Sequence, residues 1–399
     1  MAAPPSCWPK FSTEPAVRLT RRQVLGGAAA LVAAPAHAAL PDFAAAVQSQ
    51  MNALGDGPVL LNSYLVETGP DATAFDLTQA NAAYVYDNAL AGLLLLAAGK
   101  RAAAGRIGQA LAFAQSHDRQ FSDGRLRNAY AAGPVSAPVK LAGFWDAKAG
   151  QWDEDPYQLG TDSGPLAWAM ILWARLGMTA PALAAARFLD ARLRTGLGYE
   201  GGLYGFDNAQ TLLAWQSTEQ NTDLTVAFRA LGRTEDSAHA AAFVAAMKGA
   251  AGFATGTGPD GRINRAVSAD AGIWPYLAGL GDAASARAAI AALRHDDGIG
   301  FAQVSDGVWL EGTGFAALAL REMGETALAA RFLATIGANI SPEGYVYATE
   351  APMLSTGLGV GPAVKPGAAV QPFNYYRRPS LSATCWAGLA GLGANPLAG

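Results

Sequence analysis

Six segments of the chain are apolar over almost their whole length, and each opens near a Ser, Thr, Asp or Glu and ends in Gly. Because a small polar residue caps the first turn of a helix and a left-handed glycine ends one, each segment is predicted to be a helix. A helix that is apolar on all sides is buried on all sides. These predicted inner helices are YVYDNALAGLLLLAAG (84–99), TDSGPLAWAMILWARLG (161–177), STEQNTDLTVAFRALG (217–232), SADAGIWPYLAGLG (268–281), WLEGTGFAALALREMG (309–324) and SLSATCWAGLAGLG (380–393).

A second set of segments is more amphipathic and alternates with the first set along the chain. Five of these predicted outer helices follow an inner helix across a short Gly-containing link, and a sixth precedes the first inner helix. They are LPDFAAAVQSQMNAL (40–54), RAAAGRIGQALAFAQSH (101–117), APALAAARFLDARLR (180–194), EDSAHAAAFVAAMKGA (235–250), ASARAAIAALRH (284–295) and TALAARFLATIG (326–337).

The alternation predicts an all-α fold, an (α/α)6 toroid or barrel of six helical hairpins over a single domain, residues 39–399. An open helical solenoid is the alternative, but solenoid repeats are more uniform in length than these. Parallel inner helices put all six N-termini at one end of the barrel, where the long loops also gather. The glycine-rich segment 357–367 is predicted to be a flexible loop.

The first 38 residues are predicted to be an export signal of the twin-arginine type. Arg21 and Arg22 precede a moderately apolar run that ends in Ala36-His37-Ala38, an A-x-A cleavage pattern. The apolar run is too short for a membrane span. Since twin-arginine signals direct the export of folded bacterial proteins, we expect a periplasmic or secreted protein without stable membrane insertion.

The composition argues against several kinds of chemistry. Only 15% of residues are charged and the net charge is -4, so nucleic acid meets no basic surface. Cys7 belongs to the predicted signal and Cys385 is then alone, which rules out a site that needs Cys pairs. His117, His239 and His295 lie on or at the ends of predicted outer helices, so the mouth lacks a histidine ligand or base. No metal and no cofactor are predicted.

Five of the six predicted inner helices begin with a carboxylate, and together these predict an acidic ring at the mouth of the barrel. One carboxylate at a helix start is explained by capping or by the helix dipole, and Asp162 and Asp270 look like simple caps. A ring of like charges repels itself, however, and Ser or Thr caps a helix without that cost. The polar residues at these starts are Asp87, Asn88, Asp162, Glu219, Gln220, Asn221, Asp223, Asp270 and Glu311.

The loops that lead to this mouth are rich in aromatic residues. Sugar rings stack their C–H faces on aromatic side chains while their hydroxyls bond to Asp, Asn, Gln and Arg, so the predicted ligand is an oligo- or polysaccharide. The loop aromatics are Tyr84, Tyr86, Trp145, Trp152, Tyr157, Tyr204, Trp215, Trp309, Tyr345, Tyr347, Phe373, Tyr375 and Tyr376.

With these helix starts, residues 40–395 resemble the (α/α)6-barrel, or six-hairpin, glycosidase superfamily. YVYDNAL, STEQNTD and WLEGTGFAALAL are similar to the barrel-mouth motifs of its secreted bacterial members. The resemblance implies a monomeric glycoside hydrolase that inverts, with one carboxyl protonating the leaving oxygen and a second activating water. Glu219 or Glu311 is the predicted proton donor, and Asp87 the base or a substrate-orienting group. The predicted substrate-binding residues are Tyr86, Asn88, Asp162, Trp215, Asn221, Asp223, Asp270, Trp309, Tyr375, Tyr376 and Arg377.

Two other functions stay open. A polysaccharide lyase needs a Tyr or His base and a cation that neutralises a uronate, and the segment NYYRRP supplies Tyr375, Tyr376, Arg377 and Arg378. A non-catalytic glycan-binding protein of a polysaccharide export or assembly system has the same mouth but no turnover. A terpene-cyclase barrel is disfavoured, because no Asp-rich diphosphate motif stands at an inner-helix start.

Overall fold

Helices form most of the protein, and two sets of them alternate along the chain. A computed structural model describes residues 40–69, 71–360 and 371–398, and the predicted export signal over residues 1–38 lies outside them. In these ranges the helices are α1 Phe43–Ala53, α2 Ala74–Gln79, α3 Val85–Ala97, α4 Arg101–Ser116, α5 Pro156–Leu159, α6 Ser163–Leu176, α7 Thr179–Arg192, α8 Thr218–Ala230, α9 Thr234–Ala246, α10 Ala269–Leu277, α11 Ala283–Ala292, α12 Leu310–Glu322, α13 Thr326–Gly337 and α14 Leu381–Leu392.

The inner helices α3, α6, α8, α10, α12 and α14 form a closed ring. Each packs against the next in chain order, and α14 packs against α3, which closes the circle. The outer helices α1, α4, α7, α9, α11 and α13 pack against the outside of inner ones. The predicted (α/α)6 barrel is therefore confirmed, and the open solenoid is excluded by the contact between the first and last inner helices.

Close approach between inner helices depends on glycine at the contact points. A Cβ on Gly92 of α3 would lie 2.6 Å from Leu172 Cδ2 of α6, and a Cβ on Gly388 of α14 would lie 2.7 Å from Leu94 Cδ1 of α3. Atoms at those distances overlap, so a side chain at either position would force the methyl groups of the facing leucine to move.

Short antiparallel strands occupy the connections between the helices. They pair as β1–β4, β2–β3, β5–β6, β7–β8–β9, β10–β13–β14, β11–β12, β15–β16 and β17–β18. Their bounds are β1 Val59–Leu60, β2 Ala82–Tyr84, β3 Ala129–Ala131, β4 Gly133–Pro134, β5 Phe144–Asp146, β6 Gln151–Asp153, β7 Thr161–Asp162, β8 Gly202–Tyr204, β9 Thr211–Leu213, β10 Gln216–Ser217, β11 Lys248–Gly249, β12 Gly252–Phe253, β13 Gly256–Thr257, β14 Ile263–Asn264, β15 Arg294–His295, β16 Gly298–Ile299, β17 Met353–Val360 and β18 Gln371–Tyr376.

The longest of these pairs, β17 and β18, corrects one prediction. Residues 357–360 were predicted to start a flexible loop, but they form the end of β17 and pair with β18 up to Val360 opposite Gln371. The hydrogen-bond ladder with the following strand decides their conformation, which their glycines alone do not indicate. The rest of the predicted loop, residues 361–367, lies outside the described residues.

Buried asparagines tie two of the entering loops to the inner helices. Asn88 accepts a hydrogen bond from Leu61 N at 2.8 Å and donates to Leu61 O and to Tyr84 O, both at 3.0 Å. Asn221 repeats this arrangement, since it accepts from Tyr199 N at 2.9 Å and donates to Tyr199 O at 3.1 Å. Each asparagine is the fourth residue of its helix, so the repeat places the same anchor twice.

Threonine takes the same fourth position in two further inner helices. Thr313 of α12 accepts a hydrogen bond from Ile299 N at 3.1 Å, and Thr384 of α14 accepts one from Val346 N at 2.9 Å. Four loops are thus held at one helical level, just below the helix starts. No helix among the described residues is long and apolar enough to cross a membrane, and all of these residues belong to one compact unit, Ala38–Gly399.

Replacement of Asn88 by Ala is expected to lower the free energy of unfolding by about 2–4 kcal/mol, because both backbone groups of Leu61 lose their buried partner. Denaturant unfolding of the signal-free protein measures the change. Asn62→Ala is the matched control, since Asn62 makes an exposed hydrogen bond to Ala80 O. Unchanged stability of Asn88→Ala together with lost sugar binding would contradict the anchoring role.

Candidate active site

The N-terminal ends of the inner helices surround one cavity of about 280 Å³. The second residue of every inner helix lines it, which shows that all six helices start at the same end of the barrel and turn this position toward the axis. These six residues are Tyr86, Gly164, Glu219, Asp270, Glu311 and Ser382.

The sixth residues of the inner helices form the floor of the cavity. Residues four apart lie on the same face of a helix, so the sixth position stands one turn below the second. Trp168, Asp223 and Trp274 occupy it in α6, α8 and α10 and line the cavity. Phe315 and Trp386 occupy it in α12 and α14, and their rings pack on Trp274 with centroids 5.6 and 5.9 Å away.

Six carboxyl groups line this cavity, and none of the described lining residues is Lys, Arg or His. Five of the six are buried, and Glu219 is half-buried. None of the described lining residues forms an ion pair with them. Each carboxyl group that ionises therefore raises the free energy needed to ionise another one. The six are Asp87, Asp162, Glu219, Asp223, Asp270 and Glu311.

Two hydroxyl groups hold the carboxyl group of Glu311. Tyr86 Oη donates to Oε1 at 2.6 Å and Ser382 Oγ donates to Oε2 at 2.7 Å. Trp386 Nε1 in turn donates to Tyr86 Oη at 2.8 Å. Because Tyr86 Oη accepts this bond, its own hydrogen is free to point to Glu311. Burial raises the pKa of Glu311 to about 7, although both hydroxyl donors favour the ionised form and limit the rise.

The neighbouring helices α8 and α10 carry a cluster of three carboxyl groups, Glu219, Asp270 and Asp223. Burial raises the pKa of Glu219 well above its ordinary value, and the charges of Asp270 and Asp223 and a hydrogen bond to Asp270 raise it further. Burial and the charge of Asp270 likewise raise the pKa of Asp223. The contact between the carboxyl groups of Glu219 and Asp270 thus raises the pKa of Glu219 and opposes the rise at Asp270.

Asp87 and Asp162 complete the acidic lining from α3 and from the start of α6. Burial, followed by the charge of Glu311, raises the pKa of Asp87. Burial raises the pKa of Asp162 to about 7, although a hydrogen bond from Asn128 opposes the rise. The expectation that Asp162 is a simple cap is wrong. It stands at the N-cap of α6, but its side chain makes no capping bond, and Oδ1 lacks a hydrogen-bond partner among the described residues.

Aromatic rings form the upper walls of the cavity. Six of the loop aromatics singled out from the sequence line it: Tyr84, Tyr86, Tyr157, Trp309, Phe373 and Tyr375. Trp309 and Tyr375 lie against each other with centroids 5.3 Å apart, so α12 and β18 build one continuous aromatic wall. Of the predicted substrate-binding residues, the structure therefore places Tyr86, Asp162, Asp223, Asp270, Trp309 and Tyr375 at the cavity, beside the predicted catalytic residues.

Other residues assigned to substrate binding from the sequence do not line the cavity. Asn88 and Asn221 hold the backbone of the entering loops. Trp215 covers Gly201, where a Cβ would lie 2.6 Å from its ring. The ring of Tyr376 packs on Phe75 at 4.6 Å between centroids.

The two arginines that follow Tyr376 also turn away from the cavity. Arg377 donates to Asn339 Oδ1 at 2.7 Å and to two backbone carbonyls, and it stacks on Tyr347. Arg378 forms an ion pair with Asp76 at 2.7 Å. Both arginines follow the end of β18 at Tyr376, and of the segment NYYRRP only Asn374 and Tyr375 line the cavity.

Sequence reasoning missed the floor and part of the rim. Trp168 and Trp274 lie inside segments that are apolar throughout, so nothing set them apart from core residues. The available signal was their spacing of four from a helix-start residue. The other lining residues that were not predicted are Tyr64, Phe75, Gln79, Asn128, Gly164, Pro165, Phe301, Leu358, Asn374 and Ser382.

Several buried polar atoms at the cavity have no hydrogen-bond partner within the described part of the chain. They include both carboxyl oxygens of Asp223 and the indole nitrogens of Trp168, Trp274 and Trp309. Each unpaired buried group costs about 1–3 kcal/mol, so such a concentration is unfavourable for folding alone. Ligand hydroxyls would satisfy these groups. No set of three or more His, Cys, Asp or Glu among the described residues is arranged to hold a metal ion.

Comparison with known proteins establishes the fold. No protein-family model matches the chain, and no curated protein matches it. A structure described as a wild-type glycosidase matches with a TM-score of 0.56 at 14% identity, over 89% of this chain and 96% of that chain. A GH63 mannosylglycerate hydrolase from Thermus thermophilus, in complex with glucose, matches with a TM-score of 0.51 at 15% identity, over 88% of this chain and 99% of that chain.

A D-mannose isomerase matches as well, with a TM-score of 0.55 at 11% identity, over 88% of this chain and 97% of that chain. At such low identity these likenesses concern the fold. The chain has a six-hairpin glycosidase-like fold, as the resemblance in its sequence implied.

The raised pKa of Asp162 predicts that stability falls as pH rises. The folded protein keeps this proton up to about 7, whereas the unfolded chain releases it near 3.8. The stability that protonated Asp162 contributes is therefore complete below the pKa of Asp162 in the unfolded chain. It is lost as pH rises through the pKa of Asp162 in the folded protein. Asp162→Asn cannot ionise at this position. Between about pH 4 and about pH 8, its free energy of unfolding is expected to rise by about 2–4 kcal/mol relative to that of the wild type.

Thermal or denaturant unfolding across that pH range measures the difference between the two proteins. Asp146→Asn, in the half-buried strand β5 away from the cavity lining, serves as the control. Parallel pH profiles for the wild type and Asp162→Asn would show that Asp162 ionises normally in the folded protein.

Proposed function

We propose that the protein is a glycoside hydrolase that acts on neutral glycosides by inversion. The observation that carries the proposal is the cavity, where carboxyl groups from the starts of five inner helices gather among aromatic rings, with no cationic side chain among the described lining residues. Glycosidases and an isomerase share this fold, so the fold does not choose the reaction. The arrangement of the carboxyl groups supports hydrolysis.

Glu219 is the proposed general acid. A general acid must hold its proton near neutral pH, and burial together with Asp270 and Asp223 raises the pKa of Glu219. It is also the least buried of the six carboxyl groups, so a glycosidic oxygen can reach it from the cavity. Glu219 transfers its proton to the leaving oxygen as the bond between that oxygen and the anomeric carbon breaks.

Glu311 is the proposed general base, and Asp87 orients the substrate or the water. The two hydroxyl donors on Glu311 stabilise its carboxylate and fix its direction. Burial raises the pKa of its neighbour Asp87, and the charge of Glu311 raises it further, which favours the protonated form of Asp87 beside the base. Glu311 takes a proton from a water molecule, whose oxygen forms the new bond to the anomeric carbon from the side opposite the leaving group.

The lyase alternative loses its support from the residues that suggested it. A uronate carboxylate would enter a cavity of six carboxyl groups, and Arg377 and Arg378, the expected neutralising cations, bond elsewhere. The cavity volume of about 280 Å³ fits a ligand of one or two sugar units at a time. Periplasmic or secreted location and a monomeric state remain part of the proposal, and the export signal predicted from the sequence supports the location.

Amide variants test the assigned roles. Glu219→Gln and Glu311→Gln are each expected to lower kcat by about 10²–10⁴-fold on 4-nitrophenyl glycosides of glucose, mannose and galactose. On 2,4-dinitrophenyl glycosides, whose leaving group needs no proton, Glu219→Gln should regain most of its activity while Glu311→Gln should not. Glu322→Gln, on the exposed end of the same helix as Glu311, is the control. Full activity of both cavity variants would refute the assignment.

The stereochemistry of the first product tests the mechanism. Proton NMR during the first turnovers is expected to show a sugar whose anomeric configuration is opposite to that of the substrate. A product of the same configuration would contradict inversion. An unsaturated product would identify a lyase, a rearranged free sugar an isomerase, and binding without product a glycan-binding protein.

A further inference from the structure

The layer of sixth residues at the cavity floor contains one polar member. Trp168, Trp274, Phe315 and Trp386 fill this position in four inner helices, and α8 has Asp223 instead. An aromatic residue there would extend the packing of its neighbours, whose centroids lie 5.4–5.9 Å apart. The carboxyl group thus interrupts an otherwise apolar layer.

Asp223 makes no hydrogen bond of normal geometry in its position, although the side chain of Trp168 lies close enough to lower the pKa of its carboxyl group. It is 1% exposed, and both of its carboxyl oxygens lack a hydrogen-bond partner among the described residues. Gly164 leaves the approach to it open, since a Cβ on that residue would lie 3.2 Å from Asp223 Oδ2. An unpaired buried carboxyl group destabilises the free protein, so packing does not explain its presence.

The indole groups beside Asp223 present unused donors. Trp168 Nε1 and Trp274 Nε1 are buried without a hydrogen-bond partner in the described residues, while Trp386 Nε1 donates to Tyr86 Oη at 2.8 Å. The Trp168 and Trp274 rings contact each other with centroids 5.4 Å apart. The floor therefore offers acceptor oxygens and donor N–H groups close together.

Only a group that both donates and accepts satisfies such a set. An ammonium group would bond to Asp223 but leave the indole donors unused. A carboxylate would accept from the indoles but meet Asp223 and the other carboxyl groups of the cavity. A hydroxyl group accepts from an indole N–H and donates to the carboxyl oxygen with one atom.

We propose that Asp223, Trp168 and Trp274 form a hydroxyl-recognition site in the cavity floor, which selects a neutral glycosyl residue by one of its hydroxyl groups. This inference rests on the proposed function, because it takes the occupant of the cavity to be a sugar. Asp223 acts here as a specificity-determining residue rather than as a group that moves the reacting proton.

Binding of free sugars, followed by tryptophan fluorescence, tests the site without any need for turnover. The ligands are D-glucose, D-mannose and D-galactose, their monodeoxy analogues, D-glucosamine and D-glucuronate. The proteins are the wild type, Asp223→Leu, Asp223→Asn and Trp168→Phe. Trp173→Phe is the matched control, because Trp173 lies on the same helix and donates to Gly108 O at 2.9 Å, away from the cavity.

At least one neutral hexose is expected to bind the wild type, and removal of one particular hydroxyl should weaken it about 10–100-fold. Asp223→Leu should bind the hexose and that deoxy analogue equally, while Asp223→Asn should keep part of the discrimination. Trp168→Phe should bind the hexose more weakly than the wild type, and Trp173→Phe should bind it as tightly as the wild type. Glucosamine and glucuronate should bind more weakly than the neutral sugar.

The melting temperature supplies a second readout. Asp223→Leu removes an unpaired buried carboxyl group and is expected to melt about 2–4 °C higher than the wild type, although it discriminates less. If this variant does not fold, Asp223→Asn and Trp168→Phe still decide the matter by their binding patterns.

The inference is overturned if no sugar of the panel binds, if wild type and Asp223→Leu discriminate deoxy analogues alike, or if a charged sugar binds most tightly. Binding with the expected pattern but without hydrolysis of any nitrophenyl glycoside would contradict the proposed function and leave the recognition site standing. Hydrolysis without the deoxy pattern would contradict the recognition site alone.

Discussion

The side-by-side packing of six inner helices around one axis determines the position of four of the six carboxyl groups in the cavity, Glu219, Asp223, Asp270 and Glu311. An α-helix turns residues four apart to the same side, so each helix presents its second and sixth residues to the axis. Close contacts such as Gly92 against Leu172 hold the helices at one spacing. The carboxyl groups therefore stand on rigid helix starts rather than on loops, which is what acid–base chemistry at fixed separation requires.

This placement carries an electrostatic cost that the apolar ring must offset. Burial raises the pKa of Asp87, Asp223 and Asp270, and a neighbouring carboxylate raises it further for Asp87 and Asp223, so each ionised group in the cavity is costly. Burial of the large side chains around the axis, Trp168, Trp274 and Trp386 among them, supplies stability of about 1.5–3 kcal/mol or more for each. A stable scaffold can thus carry a destabilised site, and that site binds ligands that supply hydroxyl groups.

Most of the fold and half of the site could be predicted from the sequence, because both follow from local rules. Polar starts and terminal glycines mark the six inner helices in the sequence, amphipathic patterns mark the six outer ones, and Glu219, Asp270 and Glu311 stand at helix starts that line one cavity. What escaped prediction depends on contacts between distant segments. Arg377 is drawn to Asn339, and residues 357–360 extend because β18 pairs with them. Trp168 and Trp274 looked like core because the floor of a cavity and the core of a barrel use the same residues.

The anchors at the fourth helical position separate the variable part of the barrel from the constant part. Asn88, Asn221, Thr313 and Thr384 hold incoming loop backbone at one level below the helix starts. A loop can therefore change in length or sequence beyond its anchor while the second and sixth residues keep their positions. The second and sixth residues of the inner helices determine the chemistry, and the loops determine how a ligand reaches the cavity. These two properties can then change independently. The same barrel can thus serve several reactions, and the residues of the two layers, rather than the fold, identify the one performed here.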